Sequence, residues 1–175
     1  MNSDSLARDK NACFESDRLL YRGITWEDAA QIVAWRSNGQ IIRFFRSKIP
    51  LTMETHLAWF EKYRDDATRF DFMVTEKASG RKTGIAGLQN LCGESADVSY
   101  FIDPLSQGRG FGTEAIRAIS AYAFEHFKLK KLEAVILTGN CASQKAAEQA
   151  GFLLYSQTYR LEKPRKINDR DSCGR

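Results

Sequence analysis

Three glycines at alternate positions, Gly108, Gly110 and Gly112, separate the apolar run Ala96 to Ile102 from the periodic apolar residues Ile116, Ile119, Ala123 and Phe127. The first run reads as a strand that stops at Pro104, a residue with no N–H for a sheet ladder. A helix from about Thr113 to Phe127 follows, with its apolar residues on one face. Glycine permits left-handed backbone and close ligand approach, so successive N–H groups of such a loop can converge on an anion at the positive end of the helix dipole. The same glycines suit a plain tight turn, and geometry alone leaves both readings open. The loop lacks the Lys-Ser/Thr ending of a P-loop. It also follows the fourth expected strand, whereas most dinucleotide folds place such a loop after the first.

Around this loop the chain alternates strands and helices. Phe14 to Arg22 reads as a first strand. Thr25, with Asp28 three residues on, forms a capping pattern for a helix from about Trp26 to Arg36. Thr52 caps a second helix in which Met53, Leu57 and Phe60 share a face, fading near Tyr63. Phe70, Phe72 and Val74 alternate with Asp71, Met73 and Thr75, the pattern of a half-buried strand, and a turn at Ala78-Ser79-Gly80 joins it to Thr83 to Leu91 as an antiparallel hairpin. Leu132 to Leu137 is apolar except for Glu133, as in a strand covered on both faces. Asn140 precedes a short helix, Ala142 to Ala150, which Gly151 terminates. A final strand is expected over about Phe152 to Leu161. The fold class is therefore α/β, a mixed sheet flanked by about four helices, with strands 96–102 and 132–137 made parallel neighbours by the helical crossover.

Length and composition narrow the class. A chain of 175 residues with 43% hydrophobic content supports one sizeable core. Residues 1–12 read as a flexible N-terminus, 13–162 as a single domain, and 163–175 as a charged tail with too little apolar surface to hold it down. The net charge of +4 is scattered along the sequence, which suits a phosphorylated ligand without demanding nucleic acid. Cys13, Cys92, Cys141 and Cys173 form no CxxC pair and no regular spacing, so neither a metal site nor a disulfide framework is indicated. No apolar run approaches the length of a bilayer span, and a cytoplasmic location is expected.

The glycine string resembles the signature of the GCN5-related N-acetyltransferase (GNAT) superfamily, Gln or Arg, two residues, Gly, one residue, Gly or Ala. Here it reads Gln107-Gly108-Arg109-Gly110-Phe111-Gly112. Asn140 followed by Ala146, Glu148, Gly151 and Phe152 is similar to the family's Asn-to-Glu-x-x-Gly-Phe helix. The resemblance spans about Phe14 to Leu161. It implies the acyl-CoA N-acyltransferase fold, with acetyl-coenzyme A as co-substrate held between splayed strands 96–102 and 132–137, and no metal. Implied coenzyme contacts are the backbone of Phe101 and Ile102 for the pantetheine arm, Gln107, Gly108, Arg109, Gly110, Phe111, Gly112 and Thr113 for the pyrophosphate, and Asn140 and Ser143 on the far side. The implied chemistry is direct attack of an unprotonated amine on the thioester, with a proton delivered to the departing thiolate.

This chain departs from the family at two points. Many members carry a tyrosine seven residues after the Asn as the thiolate acid, and here that position is Ala147. Ser143 is the nearest substitute and matches a serine of the ribosomal-protein N-terminal acetyltransferase branch. It serves equally as a helix N-terminal residue satisfying backbone donors. Members also usually end in two strands, so a last strand is either missing or supplied by a partner subunit in a homodimer.

The acceptor is read from Trp35-Arg36-Ser37-Asn38 and Thr55-His56-Leu57-Ala58-Trp59-Phe60, which resemble the nucleotide-linked 4-amino-sugar N-acetyltransferases of pseudaminic acid synthesis. That resemblance implies a sugar-nucleotide amine as the small-molecule substrate, with Arg36, Arg43, Arg46 and Lys48 as candidates to face its phosphates. They are otherwise solvated surface charges. His56 is a candidate acceptor of the amine proton. Glu94 and Tyr100 are further candidates near the cleft. Acetylation of a protein N-terminus or lysine, and a coenzyme-binding domain without catalysis, remain open alternatives.

Overall fold

In the computed structural model, which describes residues 9–156, six strands form one sheet in sequence order. They are β1 (Cys13–Glu15), β2 (Leu19–Gly23), β3 (Phe70–Glu76), β4 (Lys82–Cys92), β5 (Ser95–Ile102) and β6 (Lys131–Glu133). The first five pair antiparallel, and β5 pairs parallel to β6. Five helices flank the sheet: α1 (Ala29–Arg36), α2 (Gly39–Ile42), α3 (Met53–Asp65), α4 (Phe111–His126) and α5 (Cys141–Gln149).

Each face of the sheet has its own core. On one side Leu19, Tyr21, Phe72, Val74, Leu88 and Val98 pack against Phe111, Ile116 and Ile119 of α4 and Ala147 of α5. On the other, Met73 and Ile85 pack against Ile32 and Trp35 of α1, Ile41 of α2, and Phe60 and Tyr63 of α3. Successive strand side chains point to opposite faces, so β3 feeds both cores. This corrects the half-buried reading of Phe70 to Glu76: every residue of β3 except Thr75 is buried, because helices cover both sides.

Three boundaries differ from the sequence reading. The expected strand Phe14 to Arg22 is a hairpin, β1 and β2, turning at Ser16-Asp17-Arg18. The Ser16 hydroxyl and the Arg18 amide both donate to Glu114 of α4, at 2.7 and 2.8 Å. The expected helix from Trp26 begins as a single 3₁₀ turn, Trp26–Asp28, before α1, and α2 raises the helix count from about four to five. The parallel partner Leu132 to Leu137 is a strand only as β6, paired through Ser95↔Lys131, Ala96↔Leu132 and Asp97↔Glu133, after which residues 134–137 leave the ladder. Residues 152–156 carry no strand. The rest of the expected final strand, the charged tail and Cys173 lie outside the described residues.

Before β1, Lys10 donates to the carbonyls of Asp66 and Arg69 at 2.7 Å each and covers the Tyr63 ring at 3.8 Å. Asp28, fully buried, accepts from Arg22 of β2, Lys82 of β4 and the Thr25 amide. Among the described residues no helix is long and apolar enough to cross a membrane.

Candidate active site

The glycine loop occupies the C-terminal end of β5. Asp103 caps a single 3₁₀ turn, Pro104–Ser106, and the chain then passes through Gly108 at φ 75° and Gly110 at φ 78° into α4. Both glycines adopt the left-handed backbone that other residues avoid. From Gln107 to Thr113 the loop's polar side chains are tied down. Gln107 donates from Nε2 to the Ile102 carbonyl at 3.0 Å, and Arg109 is clasped by the Glu76 carboxylate, whose pKa is lowered first by that guanidinium and then by Ser79. Thr113 bonds Gln149 of α5 at 3.1 Å. What the loop presents to an anion is therefore its main chain at the N-terminus of a 16-residue helix. A depression of about 520 Å³ opens on the outer flank of α4, but Arg18 and Glu114 within its lining already pair at 2.7 Å.

Alternation along β5 divides its side chains between the two cores. Tyr100 packs toward α4 and α5, and Phe101 toward α1. The Tyr100 and Ser143 hydroxyls lie 3.1 Å apart. Ser143 stands in the first turn of α5, where Asn140 caps the helix by accepting from the Ser143 amide at 3.3 Å. The other end of α5 closes through Gly151 (φ 94°), with Phe152 N–H donating to the Ala147 carbonyl and Gly151 N–H to that of Glu148. Gly112 faces the tyrosine ring. A methyl there would come within 3.2 Å of it.

On the opposite face, Trp35 and Phe45 meet the Phe101 ring edge-on at 5.7 and 5.8 Å. The Arg36 guanidinium covers Phe45 at 3.9 Å, and His56, 1% exposed, stacks on Trp59 at 5.3 Å. Arg36 Nε and His56 Nε2 are both buried, and neither has a hydrogen-bond partner among the described residues. Burial lowers the pKa of His56, Arg36 lowers it further, and Asp71 opposes them. Arg43 stacks on Phe44 and accepts at its carbonyl from Lys48, and both remain exposed, as does Arg46. Ser143 and His56, the two expected proton-handling residues, thus stand on opposite sides of β5.

Over residues 18–153 the sequence matches the acetyltransferase (GNAT) domain family. The chain belongs to the GNAT acetyltransferases. Acetyltransferase PseH of Campylobacter jejuni is 25% identical to this GNAT protein over 126 residues, which cover 72% of this chain and 77% of that one. A protein of Methanocaldococcus jannaschii is 28% identical over 140 residues, 79% of this chain but only 28% of that relative's length. Among solved structures, the spermidine N-acetyltransferase of Vibrio cholerae in complex with CoA and spermine shares the fold, with a TM-score of 0.75 at 21% identity over 81% of this chain and 84% of that one.

The GNAT fold accounts for the mixed sheet and for the N-acetyltransferase character of the chain. Two features of this GNAT site had no clear signal in the sequence. The Tyr100–Ser143 contact joins residues 43 apart, and the Glu76 clasp on Arg109 joins residues 33 apart. Spacing patterns read neighbours along one element and leave such pairs unmarked.

Proposed function

We propose that this chain transfers the acetyl group of acetyl-coenzyme A to the primary amine of a nucleotide-linked amino sugar. The left-handed loop at Gly108 and Gly110, with open space around Gly108, fits the coenzyme's diphosphate, and α5 with Asn140 and Ser143 fits the far side of its arm. The coenzyme brings the thioester, and the chain's residues hold and orient it. Orientation of this kind contributes about 7 to 11 kcal/mol in well-aligned systems.

One observation carries the choice of acceptor: among the described residues the buried Arg36 Nε and His56 Nε2 have no partner, Arg36 lying over Phe45 of the Trp35–Phe45–Phe101 cluster and His56 against Trp59 and Phe60. An unpaired buried polar group costs about 1–3 kcal/mol, so a ligand that pairs it gains that much. A guanidinium and an imidazole suit phosphate oxygens, and the rings suit a base or sugar face. With its pKa lowered, His56 is neutral near pH 7; with Nε2–H as the donor, Nδ1 is the nitrogen left to accept the amine proton. Amine nitrogen and sulfur bond the same carbonyl carbon, so in this reading the two groups meet it in the gap beside β5, past the end of its ladder to β6.

The test is free-thiol release from acetyl-coenzyme A with a panel of amino-sugar nucleotides, polyamines and ribosomal-protein N-terminal peptides. The expected result is release with the nucleotide-linked sugars and a KM for them raised at least tenfold in Arg36→Ala. Release confined to peptides or polyamines opposes the acceptor assignment.

A further inference from the structure

Seven residues past Asn140, the chain has Ala147, 4% exposed within the core and without a proton to give. Hydroxyl groups nevertheless converge at the start of α5, and they come from two elements. Ser143 supplies one from the helix, and Tyr100 brings a second from β5 to 3.1 Å. The tyrosine is aimed by structure on both sides: strand alternation turns it toward α5, and Gly112 leaves just the clearance its ring needs.

We propose that Tyr100 is a positioning residue that works through Ser143 to protonate the thiolate leaving the thioester, replacing the hydroxyl that position 147 lacks. The inference rests on the acetyl-coenzyme A reading above. In the step, the amine nitrogen bonds to the carbonyl carbon and the C–S bond breaks, its electron pair passing to sulfur. Sulfur takes the Ser143 hydroxyl proton, Ser143 oxygen takes the Tyr100 proton, and the phenolate recovers one from water as the amine's proton leaves through His56 to water. Amine and thioester become amide and thiol, with charge conserved.

Acidity explains why the second hydroxyl matters. A thiol of pKa about 8.5 is better matched by a phenol of about 10 than by an alkyl alcohol, a far weaker acid. Burial raises the Tyr100 pKa and the Ser143 hydrogen bond partly offsets this, so the phenol stays protonated through neutral pH. The N-terminus of the nine-residue α5 adds its positive end near the developing charge.

The test compares Tyr100→Phe, Ser143→Ala and the double variant by kcat, KM for acetyl-coenzyme A and the pH profile of kcat. Tyr100→Phe is expected to lower kcat about 10- to 100-fold, at or below the low end of general acid catalysis because Ser143 still supplies the proton, with KM within about twofold. The alkaline limb of the profile should vanish, and the double variant should be no slower than Ser143→Ala. Should Tyr100→Phe unfold on a circular dichroism melt, Gly112→Ala displaces the ring yet keeps the hydroxyl, and a smaller fall in kcat with the limb retained supports the proposal. A wild-type kcat and limb in Tyr100→Phe, or in Gly112→Ala where that variant stands in, overturns it, as do single effects that multiply in the double variant. A silent Ser143→Ala removes the relay itself. Absence of thiol release from the wild-type protein with every amine defeats the function reading and this proposal together.

Discussion

Gly110 enters α4 at φ 78°, where a β-branched residue is strained by at least about 1–2 kcal/mol. A valine there also sets a side chain beside Arg18 at the loop mouth. Gly110→Val is therefore expected to lose at least about 100-fold in acetyl-coenzyme A affinity by calorimetry, the worth of one or two hydrogen bonds to a charged group, while keeping its far-UV spectrum. The left-handed conformation of this glycine was legible because it is local, set by three alternating glycines between a strand and a helix. His56 was visible as a residue, but its condition was not, since α1, α3 and β3 together bury it beside Arg36 and Asp71. With its pKa below the ordinary 6.5, the unfolded chain binds more protons than the folded one as pH falls through 6.5 toward the folded value. Stability must drop over that window. His56→Gln is expected to shrink the loss of Tm between about pH 7.5 and about pH 5, and an unchanged slope would count against the buried neutral imidazole.

At the scale of elements, caps and periods were read well where the partners are near in sequence. Thr52 caps α3, as the sequence predicts, and does so through Thr55; Asn140, expected just before α5, proves to be its cap. Asn140→Ala is expected to cost about 1 kcal/mol, roughly 2–4 °C in Tm, with Asn140→Ser recovering most of it in a thermal melt. The β1–β2 turn escaped notice because Glu114, 98 residues from Ser16, holds it. Asp28 shows the same limit: it was read as a helix cap, yet it also joins β2 and β4 to the helical layer. Burial would raise its pKa, but Arg22, Lys82 and the Thr25 amide together hold it well below the usual 3.8. That stability is present at neutral pH and lost as pH falls below 3.8. Asp28→Ala leaves a buried void and frees two cations that are still 36% exposed to water, and it is expected to cost about 1–3 kcal/mol in urea unfolding.

For the whole molecule, the mixed sheet with its parallel β5–β6 step was legible from the alternation of strand, helix and strand, whereas the double-sided burial of β3 depended on how helices from distant segments divide between two faces. That division separates the proposed acceptor side at Arg36 and His56 from the proposed thiol side at Tyr100 and Ser143. A ligand spanning both should tighten the assembly. Acetyl-coenzyme A at a hundredfold excess over its Kd is expected to add about 2.7 kcal/mol, roughly 5–10 °C in a thermal shift assay, and no shift would argue against it. The ladder between β5 and β6 stops after three rungs, and from Val98 onward the strand meets no partner on that flank among the described residues. An orphaned main-chain border invites an occupant, and it favours one long, thin and rich in amides of its own at strand-like spacing. The proposed coenzyme has an arm of that kind, so in this reading the backbone favours an acyl carrier able to pose as a further strand before any side chain takes part.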